Sequence, residues 1–370
     1  MPIERPLFSA VSTSTHHLYL LLRCIGFNPK ALVTITPDGI RFMVEDGRVM
    51  QGLALLEKSL FENYTFDANA INAIDNHGAP EFSAGDGDYG HCRFLVSLSA
   101  FLETLQILGL SDLNQNQQSK MEGPTNAFST PAAMLNKYCT ISYMQPGAPL
   151  CTTLTESGVT TTCELTTYEP DEEDTEDSEI PLQRDAIVFK TVMRSTWLHN
   201  AITELAATNP TILTFSASPT HAPYFTLSGS GGPFSDSTVE FSVQNSDETD
   251  GNGGASRERQ KKGKSAAPMV TETFLVRPPE GQMRIRQSYK FDLIHKALGA
   301  MAVSSKVSIR CDIQGVLSLQ FMIELGGGIG VKSEYGAVTS KMSSAVSFID
   351  FKFVPIVDDS DAEGTQSEED

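Results

Sequence analysis

No run of 18 apolar residues occurs anywhere in this 370-residue chain, so no segment predicts a membrane-spanning helix. The first residues, MPIERP, lack the basic region and long apolar stretch of a signal peptide, and the expectation is a soluble intracellular protein with no membrane partner. The six cysteines, Cys24, Cys92, Cys139, Cys151, Cys163 and Cys311, include no Cys-x-x-Cys pair. In a chain without a secretory signal they read as reduced, mostly buried thiols rather than disulfides or zinc ligands.

Hydrolase signatures are missing as well. There is no His-Glu-x-x-His, no Gly-x-Ser-x-Gly and no Cys–His pairing that spacing supports. Gly263-Lys264-Ser265 has the ending of a phosphate-binding loop, but the glycine required five positions earlier is Glu258. The glycines from Gly326 to Gly330 lie between two strand patterns and open no helix, which reads as a hairpin loop. Dense carboxylates occur only in 169–180 and 358–370, where an extended chain denies the fixed geometry that two-metal chemistry requires. Asp312 and Glu324 read as hairpin or edge charges. No catalytic residue, metal ligand or cofactor is assigned.

Lys and Arg are absent from those two stretches, which hold eight and seven acids respectively. The net charge of the chain is -19; taking those fifteen acids out of the 46 leaves 31 against 27 basic residues. The remaining body is therefore close to balance, and overall acidity does not exclude a surface that faces DNA. Segment 169–180 repels itself and reads as an extended connector. The stretch 245–268 is rich in Gly, Ser and charge and reads as a disordered insertion between strands. Its basic cluster, Arg257 to Lys264, is either a nuclear import signal or a solvated charge run. The tail 358–370 reads as a solvated extension open to modification at Ser360 or Ser367.

What is present is a repeat. Leu18, Leu21, Leu22 and Ile25 fall on one helical face, and Leu198, Ala201, Ile202 and Leu205 repeat that spacing 180 residues on. The register carries into a strand, Val33–Thr36 being answered by Leu213–Ser216. Each half holds a second such unit. Phe94, Val96 and Leu98 alternate before Leu98, Phe101, Leu102 and Leu105 take helical spacing; Tyr289, Phe291 and Leu293 alternate before Ile294, Ala297, Leu298 and Met301 do the same. Strand pairs follow, reversed at Pro37-Asp38-Gly39, at Gln145-Pro146-Gly147 and near Gly315. The pattern is strand, helix and antiparallel strands, four times over, with helices on one side of the sheets. Two domains of 1–168 and 185–357 are expected, joined by the connector 169–184.

Residues now carry a resemblance. Paired strand-helix units, an acidic connector ending in Ile180-Pro181 and a closing strand Phe351–Val357 before an acidic tail resemble the sliding-clamp family to which PCNA belongs. More closely, Val307 to Ile323, VSIRCDIQGVLSLQFMI, is similar to the C-terminal signature of the Rad-one subunits of the nine-one-one DNA-damage checkpoint clamp. Gly39 to Glu45, GIRFMVE, ahead of Val49 to Ala54, VMQGLA, is similar to the same subunits.

The resemblance implies an α+β DNA-clamp fold with helices on the inner face and sheets on the outer face of a ring of three different subunits around duplex DNA. It implies two other clamp subunits, an ATP-dependent checkpoint clamp loader, double-stranded DNA and repair and signalling proteins as partners, in the nucleus. The subunit-interface edges would be the strands Val159–Thr167, with Val159, Cys163 and Leu165, and Ser237–Val243, with Val239, Phe241 and Val243. Candidate DNA-facing groups are Arg23, His16, His17, His199, Lys290, His295 and Lys296, which would touch phosphate without reading bases; Arg23 and Lys296 are equally read as ordinary surface charges. A groove for short peptide motifs would be formed by Val44, Val49, Met50, Ile180, Pro181, Phe353, Pro355 and Ile356, with plain core packing the competing reading for Val44 and Phe353. The rivals are a homotrimeric replication clamp, which keeps the fold, and a 3′–5′ exonuclease, which would need clustered carboxylates.

Overall fold

The fold was taken from a computed structural model, which describes residues 5–67, 92–107, 138–156, 159–170, 179–243, 271–325 and 345–357. The insertion 245–268, the glycine loop 326–330, most of the acidic connector and the tail lie outside the described residues. The chain divides into two compact units, Met1–Glu179 with Met322–Asp350, and Ile180–Phe321 with Phe351–Asp370. The segment Met322–Asp350, placed with the second domain by the sequence reading, is thus grouped with unit 1.

Unit 1 repeats one motif twice. Strand β1 (Phe8–Ser12) leads into helix α1 (Thr15–Cys24), then β2 (Lys30–Thr36), β3 (Gly39–Asp46), β4 (Met50–Glu57) and β5 (Asn63–Phe66). Strand β6 (Cys92–Ser97) leads into helix α2 (98–107). Strands β7 (Tyr138–Tyr143), β8 (Leu150–Glu156), β9 (Val159–Leu165) and β10 (Thr167–Tyr168) follow. The strands are ordered β5-β1-β7-β8-β9 and β10-β6-β2-β3-β4, with antiparallel pairing throughout.

Unit 2 repeats the motif twice more. Here β11 (Ile187–Arg194), α3 (Ser195–Ala206), β12 (Ile212–Ala217), β13 (Phe225–Ser230), β14 (Ser237–Phe241) and β15 (Thr271–Val276) precede β16 (Ile285–Lys290), α4 (Phe291–His295), α5 (Leu298–Val303) and β17 (Lys306–Asp312). Strands β18 (Leu317–Leu325) and β19 (Ala345–Phe353) are divided between the units, at Phe321 and Met322 and at Asp350 and Phe351. Within unit 2 the orders are β18-β17-β11-β15 and β14-β13-β12-β16.

Helices α1, α2 and α3 form where apolar spacing predicts and bury that face, whereas the helix read across Ile294–Met301 is broken at Lys296–Ala297 into α4 and α5. Leu18, Leu21, Leu22 and Ile25 are wholly buried, as are Leu198, Ile202 and Leu205. Helix α3 packs on β11 and β17 of one sheet, on β13 and β14 of the other, and on α5. A single apolar stripe touching two sheets explains how one helix can close the core of its motif. Aromatic contacts complete each interior: Phe94 stacks on Tyr143 at 4.5 Å in unit 1, and in unit 2 Phe225 meets Phe189 at 5.2 Å and Phe241 at 4.9 Å. The reversals fall where proline and glycine predict them, Gly147 and Gly315 taking φ of +80° and +84°.

Several boundaries differ from the sequence reading, among them the edge strand read as Ser237–Val243, which ends at Phe241. Phe291 and Leu293 continue no strand: β16 stops at Lys290, and the Phe291 N–H donates to the Thr211 carbonyl as α4 begins. Apolar residues two apart fit both periods, and here the i, i+3 set with Ile294 prevailed. The edge strand read as Val159–Thr167 ends at Leu165, because Thr167 and Tyr168 leave it to pair with Val96 and Leu95 of β6. The closing strand ends at Phe353 rather than Val357; Pro355 has no N–H to give a ladder.

All six thiols are free. Burial pushes Cys24 and Cys92 up to about 12 and Cys311 up to about 11, so these three are protonated and unreactive at neutral pH.

Candidate functional site

Strand β9 is the last strand of its sheet, and β14 is the last of its own. A terminal strand presents one row of backbone N–H and C=O groups without a ladder partner. The two edges are anchored differently. Along β9 residues Val159 to Thr162 are all exposed, Val159 to 66 %, and Leu165 at the far end is buried. Cys163 is half-buried, its sulfur 3.2 Å from the Thr104 hydroxyl of α2. In β14 the side chains alternate, Val239 being half-buried and Phe241 seated in the core beneath Phe225. Val243 lies just beyond the strand, half-buried.

The helices turn their polar faces away from these cores. On α1, His16 and Arg23 are exposed and His17 is half-buried. The guanidinium of Arg23 lies over the Tyr19 ring, 5.9 Å from its centroid. The helix starts cleanly because the Ser14 hydroxyl accepts the His17 N–H at 3.3 Å. On α3, His199 is half-buried beside Asn200, and Trp197 is 37 % exposed. Lys290 closes β16, His295 ends α4 with its ring 5.9 Å from that of Phe291, and Lys296 follows; all three are exposed. Exposed carboxylates lie on the helices as well: Glu204 on α3 and Asp292 on α4 beside the named groups, and Glu103 on α2. Sequence reasoning passed over them and Trp197, although each lies off the apolar stripe and was legible by spacing. The helical faces are mixed in charge rather than basic, which limits their pull on phosphate.

Of the groove residues, Val44 and Met50 in unit 1 and Ile180 and Phe353 in unit 2 are buried, at 1 %, 0 %, 5 % and 0 %. Val49, Pro355 and Ile356 are half-buried and Pro181 is exposed, so accessible apolar surface rests on these four. The last part of the connector is held within each unit. In unit 1 Arg41 pairs with Glu179 at 2.8 Å. In unit 2 the Lys352 ammonium donates to the Ile180 carbonyl at 2.8 Å, and the Gln183 N–H donates to Asp312 at 3.0 Å.

Asp312 is fully buried and accepts two further N–H groups, from Gln314 and Val316. Its carboxylate therefore caps the β17–β18 hairpin through two backbone donors, in line with the reading of a hairpin charge, and holds the connector through the third, Gln183. Glu324 is exposed on β18. Among the described residues no group of three or more His, Cys, Asp or Glu is arranged to hold a metal, and no helix is long and apolar enough to cross a membrane.

A model of the repair-protein family Rad1/Rec1/Rad17 matches residues 7–323, nearly the whole described fold. The chain belongs to the Rad1 family. It is 27 % identical over 322 residues to the DNA damage checkpoint control protein rad1 of Schizosaccharomyces pombe, covering 86 % of this chain and 81 % of that one. It is 26 % identical over 310 residues to the cell cycle checkpoint protein RAD1 of Homo sapiens, covering 84 % of this chain and 83 % of that one. Among solved structures, PCNA from Thermococcus kodakaraensis aligns with a TM-score of 0.54 at 13 % identity over 94 % of this chain and all of the other. The Rad1-family chain thus has the α+β clamp fold of PCNA.

Proposed function

We propose that this chain is one subunit of a heterotrimeric sliding clamp that encircles double-stranded DNA, is placed at damage by an ATP-dependent loader in the nucleus, and serves checkpoint signalling and repair as a platform. The observation that carries this reading is the Rad1-family match across residues 7–323 on a clamp fold whose β9 and β14 both end their sheets. Checkpoint functions stand in the names of the relatives. An edge of exposed residues such as β9 gains from pairing with another chain, since backbone hydrogen bonds replace water on the open row.

DNA would be retained by enclosure. Arg23, Lys290, Lys296 and the histidines His16, His199 and His295 would contact phosphate weakly, because they are few and Glu204 and Asp292 offset His199 and His295 on the same helices. Short motifs of repair and signalling proteins would dock on the accessible apolar residues read as a groove, Val49 of unit 1 and Pro181, Pro355 and Ile356 of unit 2, whereas Val44, Met50, Ile180 and Phe353 are buried. The reading assigns no catalytic group.

Co-purification with candidate clamp subunits, followed by loading onto DNA with a loader and ATP, tests the proposal. A 1:1:1 complex retained on circular but not linear DNA is the expected result. A stable trimer of this chain alone on a sizing column would overturn the heterotrimer in favour of a replication clamp. Metal-dependent DNA degradation by the isolated chain, with no complex formed, would overturn the clamp reading itself.

A further inference from the structure

Unit 2 carries a cluster of positive charge away from its helices. Arg184, Lys190, Arg277 and Arg310 line one cavity of about 300 Å³ together with Leu275 and a single carboxylate, Asp185. Lys190 of β11 stands directly opposite Arg310 of β17 in the strand register. Like charges facing each other across a ladder destabilise a sheet, so their pairing points to an anion that offsets them. Arg310 donates to the neutral oxygens of Ser308 and Gln320. None of the four cations forms an ion pair among the described residues.

The course of the chain names the anion. Val188 and Lys190 stand two residues apart on β11, about 7 Å along the strand, with the register shift against β17 falling at Val188. Val188 lines a neighbouring cavity together with Ile356 and Val357, where the described chain ends. The exit is held there by the Ile356 N–H, which donates to the Ser288 carbonyl at 2.7 Å. Thirteen residues follow, with seven acids and no Lys or Arg, and Asp358, Asp359 and Asp361 come first. Each extended residue spans about 3.3–3.6 Å, so the first acids reach Lys190 with chain to spare.

We propose that the acidic tail 358–370 docks in the Arg184–Lys190–Arg277–Arg310 cavity of its own chain. Individual contacts at a surface of this exposure are weak, but the short tether raises the local concentration of carboxylate into the range of about millimolar or above, which weak pairs can use. An acidic partner motif would then have to displace the tail before it could use this face. The proposal stands on unit 2 alone and holds whether or not the chain assembles into a ring.

Zero-length carbodiimide coupling of the full chain, mapped by mass spectrometry, tests it. Lys190 should be joined to Asp358, Asp359 or Asp361, and the product should vanish at about 0.5 M salt, where the screening length falls to a few ångströms. In a second measurement a chain ending at Val357 should bind an added 358–370 peptide at low salt. The full chain should bind that peptide at least tenfold more weakly, and K190A/R277A should remove the difference. Coupling of Lys190 to acids of 169–179, coupling only between separate molecules, or equal peptide binding by the full and shortened chains would each overturn the proposal.

Discussion

The edges of the two units differ in what holds them. Strand β14 is pinned by Phe241, whose ring stacks on Phe225 at 4.9 Å inside the core of unit 2. Strand β9 of unit 1 has four exposed residues in a row and is fastened through Cys163 and Leu165 at one end. An edge anchored by its own side chains keeps its shape unaided, whereas an edge held mainly by backbone pairing to β8 is completed by whatever pairs with its open side. The first motif helices differ as well. In unit 1 the Ser14 hydroxyl caps α1 from outside the helix. In unit 2 the corresponding cap position, Arg194, makes no side-chain cap bond; instead the buried hydroxyl of Ser195, the first helical residue, donates to the Met301 carbonyl and accepts from Ser304, tying α3 to α5.

The comparison can be broken in order of effect on the fold. Phe241→Ala should lower the stability of unit 2 by about 3–5 kcal/mol, the usual loss for a buried aromatic, and this is read by denaturant unfolding. If the loss is below about 1 kcal/mol, β14 is no better anchored than β9. Ser195→Ala removes the donor to the buried Met301 carbonyl, while the Ser304 hydroxyl keeps the Ala300 carbonyl as acceptor, for an expected loss of about 1–3 kcal/mol. Ser14→Ala should cost only about 1 kcal/mol, since water reaches the freed N–H. Equal losses would show that the two helices are held alike.

Proline in β9 sharpens the contrast from the other side. Successive residues of a strand point their backbone groups to opposite sides, so one of Thr161→Pro and Thr162→Pro strikes the β8 ladder and the other the open row. The open-row variant should change stability by less than about 1 kcal/mol yet abolish co-purification with clamp subunits; undiminished assembly by both variants would remove β9 from the interface.

The last effect is nil at neutral pH. Burial raises Cys24 and Cys92 of unit 1 to about 12 and Cys311 of unit 2 to about 11. A thiol held protonated by the fold contributes stability that is fully present below its unfolded value near 9 and lost as pH rises toward 12, because only the unfolded chain releases the proton early. Unit 1 should therefore lose more stability than unit 2 between pH 9 and 12. Hydrogen exchange followed across that range should find the β2–β6 region opening before β17, and Cys24→Ala should reduce the unit 1 slope.

Much of this was written locally in the sequence. Leu18, Leu21, Leu22 and Ile25 had to share a face once a helix formed, and Gly147 and Gly315 marked reversals that a side chain would strain. The fourfold motif followed, because such signals need only neighbours three or four residues away. The candidate site was less legible. Val44 and Phe353 suited both groove and core by their chemistry, and burial placed them in the core. The strand read through to Thr167 broke at Leu165 because Val96, more than sixty residues earlier, offered a second sheet.

By itself, then, the sequence determined the motif, its fourfold repetition, the helix faces and the acidic segments, all set by short-range periodicity and composition. Only the tertiary structure decided that β9 and β14 end their sheets, that Asp312 gathers three backbone donors, and that Arg184, Lys190, Arg277 and Arg310 share one cavity. Those outcomes depend on strand order and register between residues up to 129 positions apart, for which no local pattern carries the information.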